Sequence, residues 1–176
     1  PIITLMALSF NSSKSRARWG GFTAKWYVRL FQDDQIMTAL YTTLEIALLS
    51  ALIATVLGTA GAIGIHALRR KYRTFMMGVT NIPMLNADIV TGISLMLLFI
   101  AFRFSLGFST ILIAHITFNL PYVILSVMPR LKQTNICTYE AALDLGASPL
   151  YAFFKVVFPD ILPGVSSGFL LAFTMS

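Results

Sequence analysis

The sequence predicts an all-helical integral membrane protein, a bundle of several spans, and three observations point there. Of 176 residues, 57% are hydrophobic and 11% charged, with mean hydropathy +0.78, too apolar for a chain that must clothe its surface in polar groups. The charges fall in short tracts between long apolar runs rather than alternating with them, so the apolar residues are gathered into spans. Residues 46–65 carry no charge over 20 positions, about 30 Å of helix, which matches the hydrocarbon thickness of a bilayer.

Taken in order, residues 1–10 are an apolar run that begins without Met. It lacks the small-residue cleavage pattern of a signal peptide and leaves through polar residues 9–14, so it is expected to be the tail of a first helix. Residues 11–37 set Trp19, Trp26, Tyr27 and Phe31 among Lys14, Arg16, Arg18, Lys25 and Arg29, a mixture suited to a membrane interface. The second span, 46–65, holds Gly58, Gly61 and Gly64, expected to serve close helix packing. Glu45 stands at its edge, where an interfacial or packing role is expected. Arg69, Arg70, Lys71 and Arg73 end it.

A third apolar run, 74–102, is interrupted by Pro83, Asn86 and Asp88; a fourth, 104–129, carries His115 and Pro121 and closes on Arg130 and Lys132. A polar segment, 135–155, precedes a fifth run from Ile161 to Ser176, with Gly164 and Gly168 at the small-xxx-small spacing that favours helix pairing. At least five spans are therefore expected. The apolar first and last runs are read as truncated, so the chain is expected to be a fragment of a longer protein.

The pI of about 9.8 does not indicate nucleic acid, because Lys and Arg lie beside apolar runs, where they meet lipid headgroups and fix topology. Cys137 is a single cysteine and forms no internal disulfide; His66 and His115 are separated and make no metal cluster. Both histidines are expected to pack or to sit at interfaces. Basic residues near the span ends almost balance between the two sides, and the dense tract at residues 69–73 places that loop, and with it segment 135–155, in the cytoplasm.

That segment has its own local logic. From Glu140 a short helix is predicted to run to Leu145 and stop at Gly146, since glycine tolerates the left-handed C′ position. Ser148 is a good N-cap and Pro149 fits the first helical position, while Pro159 is expected to end the second helix. Glu140 and Asp144 share one face, and Ala141 and Ala142 leave little side chain to hold another surface away. A docking elbow and an ordinary solvated loop both fit these residues.

Glu140, Ala141 and Ala142, with Gly146 and Pro159 at their spacing, resemble the EAA loop of ABC importer permeases. Val156 and Phe158 stand where that family favours Ile and Leu. The wider chain resembles the spermidine/putrescine permease branch through Ser9-Phe-Asn-Ser-Ser-Lys14, Gly21-Phe-Thr-Ala-Lys-Trp-Tyr27, Asp88-Ile-Val-Thr-Gly-Ile-Ser-Leu95 and His115-Ile-Thr-Phe-Asn-Leu-Pro121. Where the family usually has Pro before the Asp-Ile-Val stretch, this chain has Ala87, with Pro83 four residues earlier.

The resemblance implies a type I ABC importer permease, with residues 1–176 as one transmembrane domain in the bacterial inner membrane and 135–159 as its cytoplasmic coupling loop. It implies that Glu140, Ala141, Ala142, Asp144, Gly146 and Pro159 meet a cytoplasmic ATP-binding subunit dimer. A second homologous permease, an extracytoplasmic polyamine-binding protein and membrane lipid complete the implied partners. No Gly-x-x-x-x-Gly-Lys-Ser/Thr loop is present, so ATP hydrolysis is expected of a separate subunit, and no cofactor or metal is expected.

Asp88 lies in an apolar run, where an ionised carboxylate costs roughly 2.5–3.5 kcal/mol on insertion scales and so should face a cavity or a partner. A carboxylate with aromatic neighbours suits the ammonium groups of a polyamine, which makes Asp88 the candidate for the substrate pathway. It can equally cap a half-helix after Pro83. Two other functions fit the same chain: import of an amino acid, sulfate or iron on the same fold, and a receptor or scaffold that transports nothing.

Overall fold

The computed structural model of the chain describes residues 2–13, 20–85 and 88–176, with Asp88 described by its backbone alone. Lys14, Arg16, Arg18 and Trp19 of the expected interfacial stretch, and Asn86 and Ala87 at the expected helix break, lie outside the described residues. Among the described residues eight helices follow in order: α1 (Ile2–Ser9), α2 (Lys25–Phe31), α3 (Asp34–Ala67), α4 (Arg70–Leu85), α5 (Asp88–Ala101), α6 (Phe108–Gln133), α7 (Ile136–Asp144) and α8 (Pro149–Met175). Apart from an isolated antiparallel bridge between Asn11 and Phe22, the regular structure of the described residues is helical.

The chain divides into two compact units, residues 1–45 and 46–176. In the first, α1 leads into a knot of aromatic and hydrogen-bonded groups. The rings of Phe10 and Phe22 stack at 4.9 Å, Tyr27 lies 5.2 Å from Phe10, and the Trp26 indole donates to the carbonyl of buried Asn11 at 2.8 Å. Asp33 accepts from the backbone N–H groups of Gln35 and Ile36 and so caps α3. This cap starts the helix well before the charge-free run, and the hydroxyls of Thr38, Thr42 and Thr43 satisfy themselves on carbonyls one turn back.

In the second unit, α3, α6 and α8 share one core. Ala51, Ala54 and Ala62 of α3 meet Val123, Val127 and Met128 of α6 and Ile161 and Ala172 of α8, with Met77 of α4 packed beside them. Small residues make the close approach possible. A methyl group on Gly168 would lie 3.3 Å from Val123 Cα, and one on Gly164 would lie 3.0 Å from the Ser126 carbonyl. Gly164 and Gly168 thus do what their spacing predicts, whereas Gly64 faces open space.

Among the described residues three helices, α3, α6 and α8, are long and apolar enough to cross a membrane, and α4 with α5 makes a fourth if that bent pair counts as one span. Among the described residues each of the five expected runs contains helix, but α1 has only eight residues. The third run is not one straight helix, because α4 and α5 lie at 100° to each other. Pro83 sits inside the last turn of α4 rather than breaking it, and Asp88 is the first residue of α5. At the far end of α5, Arg103 takes a left-handed conformation at φ 57°, and the Phe104 N–H closes the turn on the Phe99 carbonyl at 2.9 Å.

A second correction concerns Pro159, which does not end its helix. Residues Phe153–Val157 form a π turn, and α8 continues through Pro159 and Pro163 to Met175. The wider turn lets the Phe158 N–H reach the Phe153 carbonyl, and it relieves the clash that a proline ring otherwise makes with the turn before it.

Candidate coupling elbow and open cavity

The elbow is built by two capping motifs back to back. Asn135 caps α7, its side chain accepting from the Cys137 N–H at 3.0 Å. At the other end Gly146 takes φ +85°, its N–H donating to the Leu143 carbonyl at 2.9 Å and the Ala147 N–H to the Ala142 carbonyl at 3.1 Å. This pair of bonds is a Schellman close. Ser148 then caps α8, accepting from the Tyr151 N–H at 3.3 Å, with Pro149 in the first turn. The predicted stop at Gly146 and restart at Ser148 and Pro149 are both present.

Glu140, Ala141 and Asp144 are exposed along α7 and Gly146 is exposed at its close. Ala142, Leu145, Gly146, Ala147, Ser148 and Tyr151 line a shallow groove in the bend. Apolar side chains stand exposed in and after the bend: Leu145 is 89% exposed, Leu150 73% and Phe154 60%. Pro159 is not part of the bend; it lies ten residues beyond Pro149 in α8.

Asp88 stands at the N-terminus of α5. The next residue, Ile89, lines a cavity of about 770 Å³ between α5 and α6, together with Phe99, Phe118, Tyr122, His115 and Asn119. Sequence reasoning set His115 aside as packing and passed over Asn119. The signal was there in their spacing, since residues 115 and 119 of an apolar run fall on one helical face. His115 Nδ1 and the Ser176 hydroxyl lie 2.8 Å apart, and that hydroxyl is 2.9 Å from the hydroxyl of Ser50, which is fully buried in α3 and donates to the Ala47 carbonyl. A polar chain thus ties α6, the end of α8 and α3 through the core.

Residues 54–176 match the family described as "Binding-protein-dependent transport system inner membrane component". The whole chain is 40% identical to the spermidine/putrescine transport system permease protein PotC of Escherichia coli, covering 67% of that protein. It is also 40% identical to PotC of Haemophilus influenzae, covering 68%. With the putrescine transport system permease protein PotI of Escherichia coli the identity is 39%, over all of this chain and 65% of that protein. Together with the apolar helices, these matches place the protein in the inner membrane as a permease component with no catalysis of its own. The chain belongs to the binding-protein-dependent transport system inner membrane component family.

Proposed function

We propose that this chain is the permease subunit of an ATP-driven ABC importer that carries polyamines of the spermidine/putrescine class inward by alternating access. The observation that carries the reading is likeness along the entire chain to permeases named for those two cargoes. Residues 1–176 act as one transmembrane domain, and 135–159 is its cytoplasmic coupling loop. A second homologous permease, an ATPase dimer and an extracytoplasmic polyamine-binding protein complete the machine.

The mechanism follows from the elbow. Glu140, Ala141, Ala142 and Asp144 present the docking face, and the exposed Leu145 and Leu150 give it an apolar centre. Gly146 fixes the angle between α7 and α8. Because α8 runs unbroken past Pro159 and is packed on α6 through Gly164 and Gly168, a push on the elbow is delivered to the core. Asp88, at the head of α5, supplies the carboxylate that receives the ammonium cargo.

Uptake of labelled spermidine and putrescine by cells carrying the full permease with its partners tests this, with membrane levels matched. Import by the wild type, loss of ATP coupling in Glu140→Ala and a fall in uptake in Asp88→Asn are the expected results. Import of an amino acid, sulfate or iron instead overturns the cargo. ATPase docking with no uptake of any solute leaves a receptor or scaffold.

A further inference from the structure

The cavity between α5 and α6 contains a buried polar group with nothing to bond. Asn119 is 1% exposed, stands in the cavity wall, and its Nδ2 has no hydrogen-bond partner. Leaving an amide unpaired in an apolar interior is costly, so a group of this kind calls for a partner that completes it. The volume, about 770 Å³, falls in the range of roughly 300–1,000 Å³ typical of small-molecule sites.

The rest of the wall narrows the ligand. Phe99 and Phe118 bring aromatic rings, Met96 and Met175 adaptable apolar surface, and Tyr122 a phenol. His115 spends Nδ1 on Ser176, which leaves Nε2 as its other hydrogen-bonding atom. The unpaired Nδ2 is a donor; oxygen and nitrogen of a side-chain amide exchange on a half-turn of its last torsion, and in that orientation Asn119 sets its carbonyl oxygen, an acceptor, at the unpaired position. Aromatic and apolar walls with a few neutral acceptors suit a linear alkyl chain carrying ammonium groups, through methylene packing, cation–π contact and hydrogen bonding. The described side chains of the wall include no carboxylate, and that weakness is useful: cargo must leave a transit site as readily as it enters.

We propose that this cavity is a transit subsite for the polyamine chain and that Asn119 is the residue that reads it, so that Asn119 sets the preference between longer and shorter polyamines. The proposal rests on the polyamine reading above and adds a site and a specificity residue to it.

The test is ATP-driven uptake in proteoliposomes holding the complete importer and its binding protein, comparing wild type, Asn119→Leu, Asn119→Gln and the control Gly64→Ala, whose added methyl meets nothing within 4 Å. Asn119→Leu is expected to raise the KM for spermidine about tenfold, the worth of one buried polar contact, with a smaller change in kcat and an altered spermidine-to-putrescine ratio. Asn119→Gln should recover part of the loss, and Gly64→Ala should match the wild type. If the wild type imports no polyamine, the functional reading falls and takes the subsite with it. If the wild type imports and the Asn119→Leu curve overlies it, the subsite alone is overturned. Should Asn119→Leu fail to assemble, Asn119→Cys on a Cys137→Ser background decides: slowing of thiol alkylation by spermidine during turnover supports the subsite, and unchanged alkylation overturns it.

Discussion

Gly58 of α3 and Val123 of α6 meet so closely that a methyl group added to the glycine would lie 2.7 Å from both Cβ and Cγ1 of the valine. Val123 is fully buried, and Gly168 of α8 also packs closely against it, which leaves it little room to move. Gly58→Ala should therefore destabilise the bundle by about 1–3 kcal/mol, the usual cost of overpacking a filled core. Denaturant titration in mixed micelles checks this, and Gly64→Ala should leave the midpoint where it was because that position faces open space.

Gly146 works through backbone conformation rather than space. Nothing stands within 4 Å of a Cβ added there, yet φ is +85°. Gly146→Ala should cost about 1–2 kcal/mol at this position, reopening the turn between α7 and α8 without touching the core. The expected result is a several-fold fall in ATP-coupled uptake with an unchanged bundle midpoint. Gly146→Asn, which tolerates the left-handed region better, should lie between alanine and wild type. Arg103 shows that a side chain can hold such a turn, since it sits at φ 57° at the end of α5.

Leu145 separates docking from folding. At 89% exposure it contributes almost nothing to the stability of this chain, so Leu145→Ser should shift the unfolding midpoint by no more than about 0.5 kcal/mol. If the elbow seats in a cleft of the ATPase, the same change removes a buried leucine from the interface. Burial of such a side chain is worth about 1.5–3 kcal/mol, or roughly a ten- to hundredfold loss of affinity. Copurification of the ATPase subunit with the permease, read alongside the midpoint, checks both halves.

What the sequence made legible was whatever rests on local chemistry. The Schellman close at Gly146 and the caps at Ser148 and Pro149 follow from backbone preferences of single residues, and all three stand where the spacing put them. The span at 46–65 was visible because hydrophobic length is a property of composition along the chain. Pro159 misled because a proline ends a helix only if the ladder ahead of it is regular, and the π turn at Phe153–Val157 is set by how α8 packs, which no local rule announces. The third run was expected to be interrupted by Pro83, Asn86 and Asp88, and α4 runs through Pro83 to Leu85 before α5 begins at Asp88. Asn119 was passed over for another reason: its place on one helical face with His115 was legible, but a polar residue in an apolar run gains its full meaning from what faces it, and that depends on α5, some twenty residues away in sequence.

Ser50 anchors the polar chain that crosses the core, and its removal offers the last test. It is fully buried, 2.9 Å from the Ser176 hydroxyl, which in turn meets His115 Nδ1 at 2.8 Å. In lipid such bonds between helices average about 0.6 kcal/mol, because polar groups find other partners in the unfolded membrane state. Ser50→Ala should therefore lower stability by about 1 kcal/mol, the bond plus a small loss of packing. Ser176→Ala should cost somewhat more, since it breaks two links at once. In a double-mutant cycle the combined variant should be less destabilised than the sum of the two, by roughly 0.5 kcal/mol or more, if the chain acts as a unit. Strict additivity in the same titration would mean that the two hydroxyls are neighbours without being coupled, and that α3 and α8 are held together by the small-residue contacts on α6 alone.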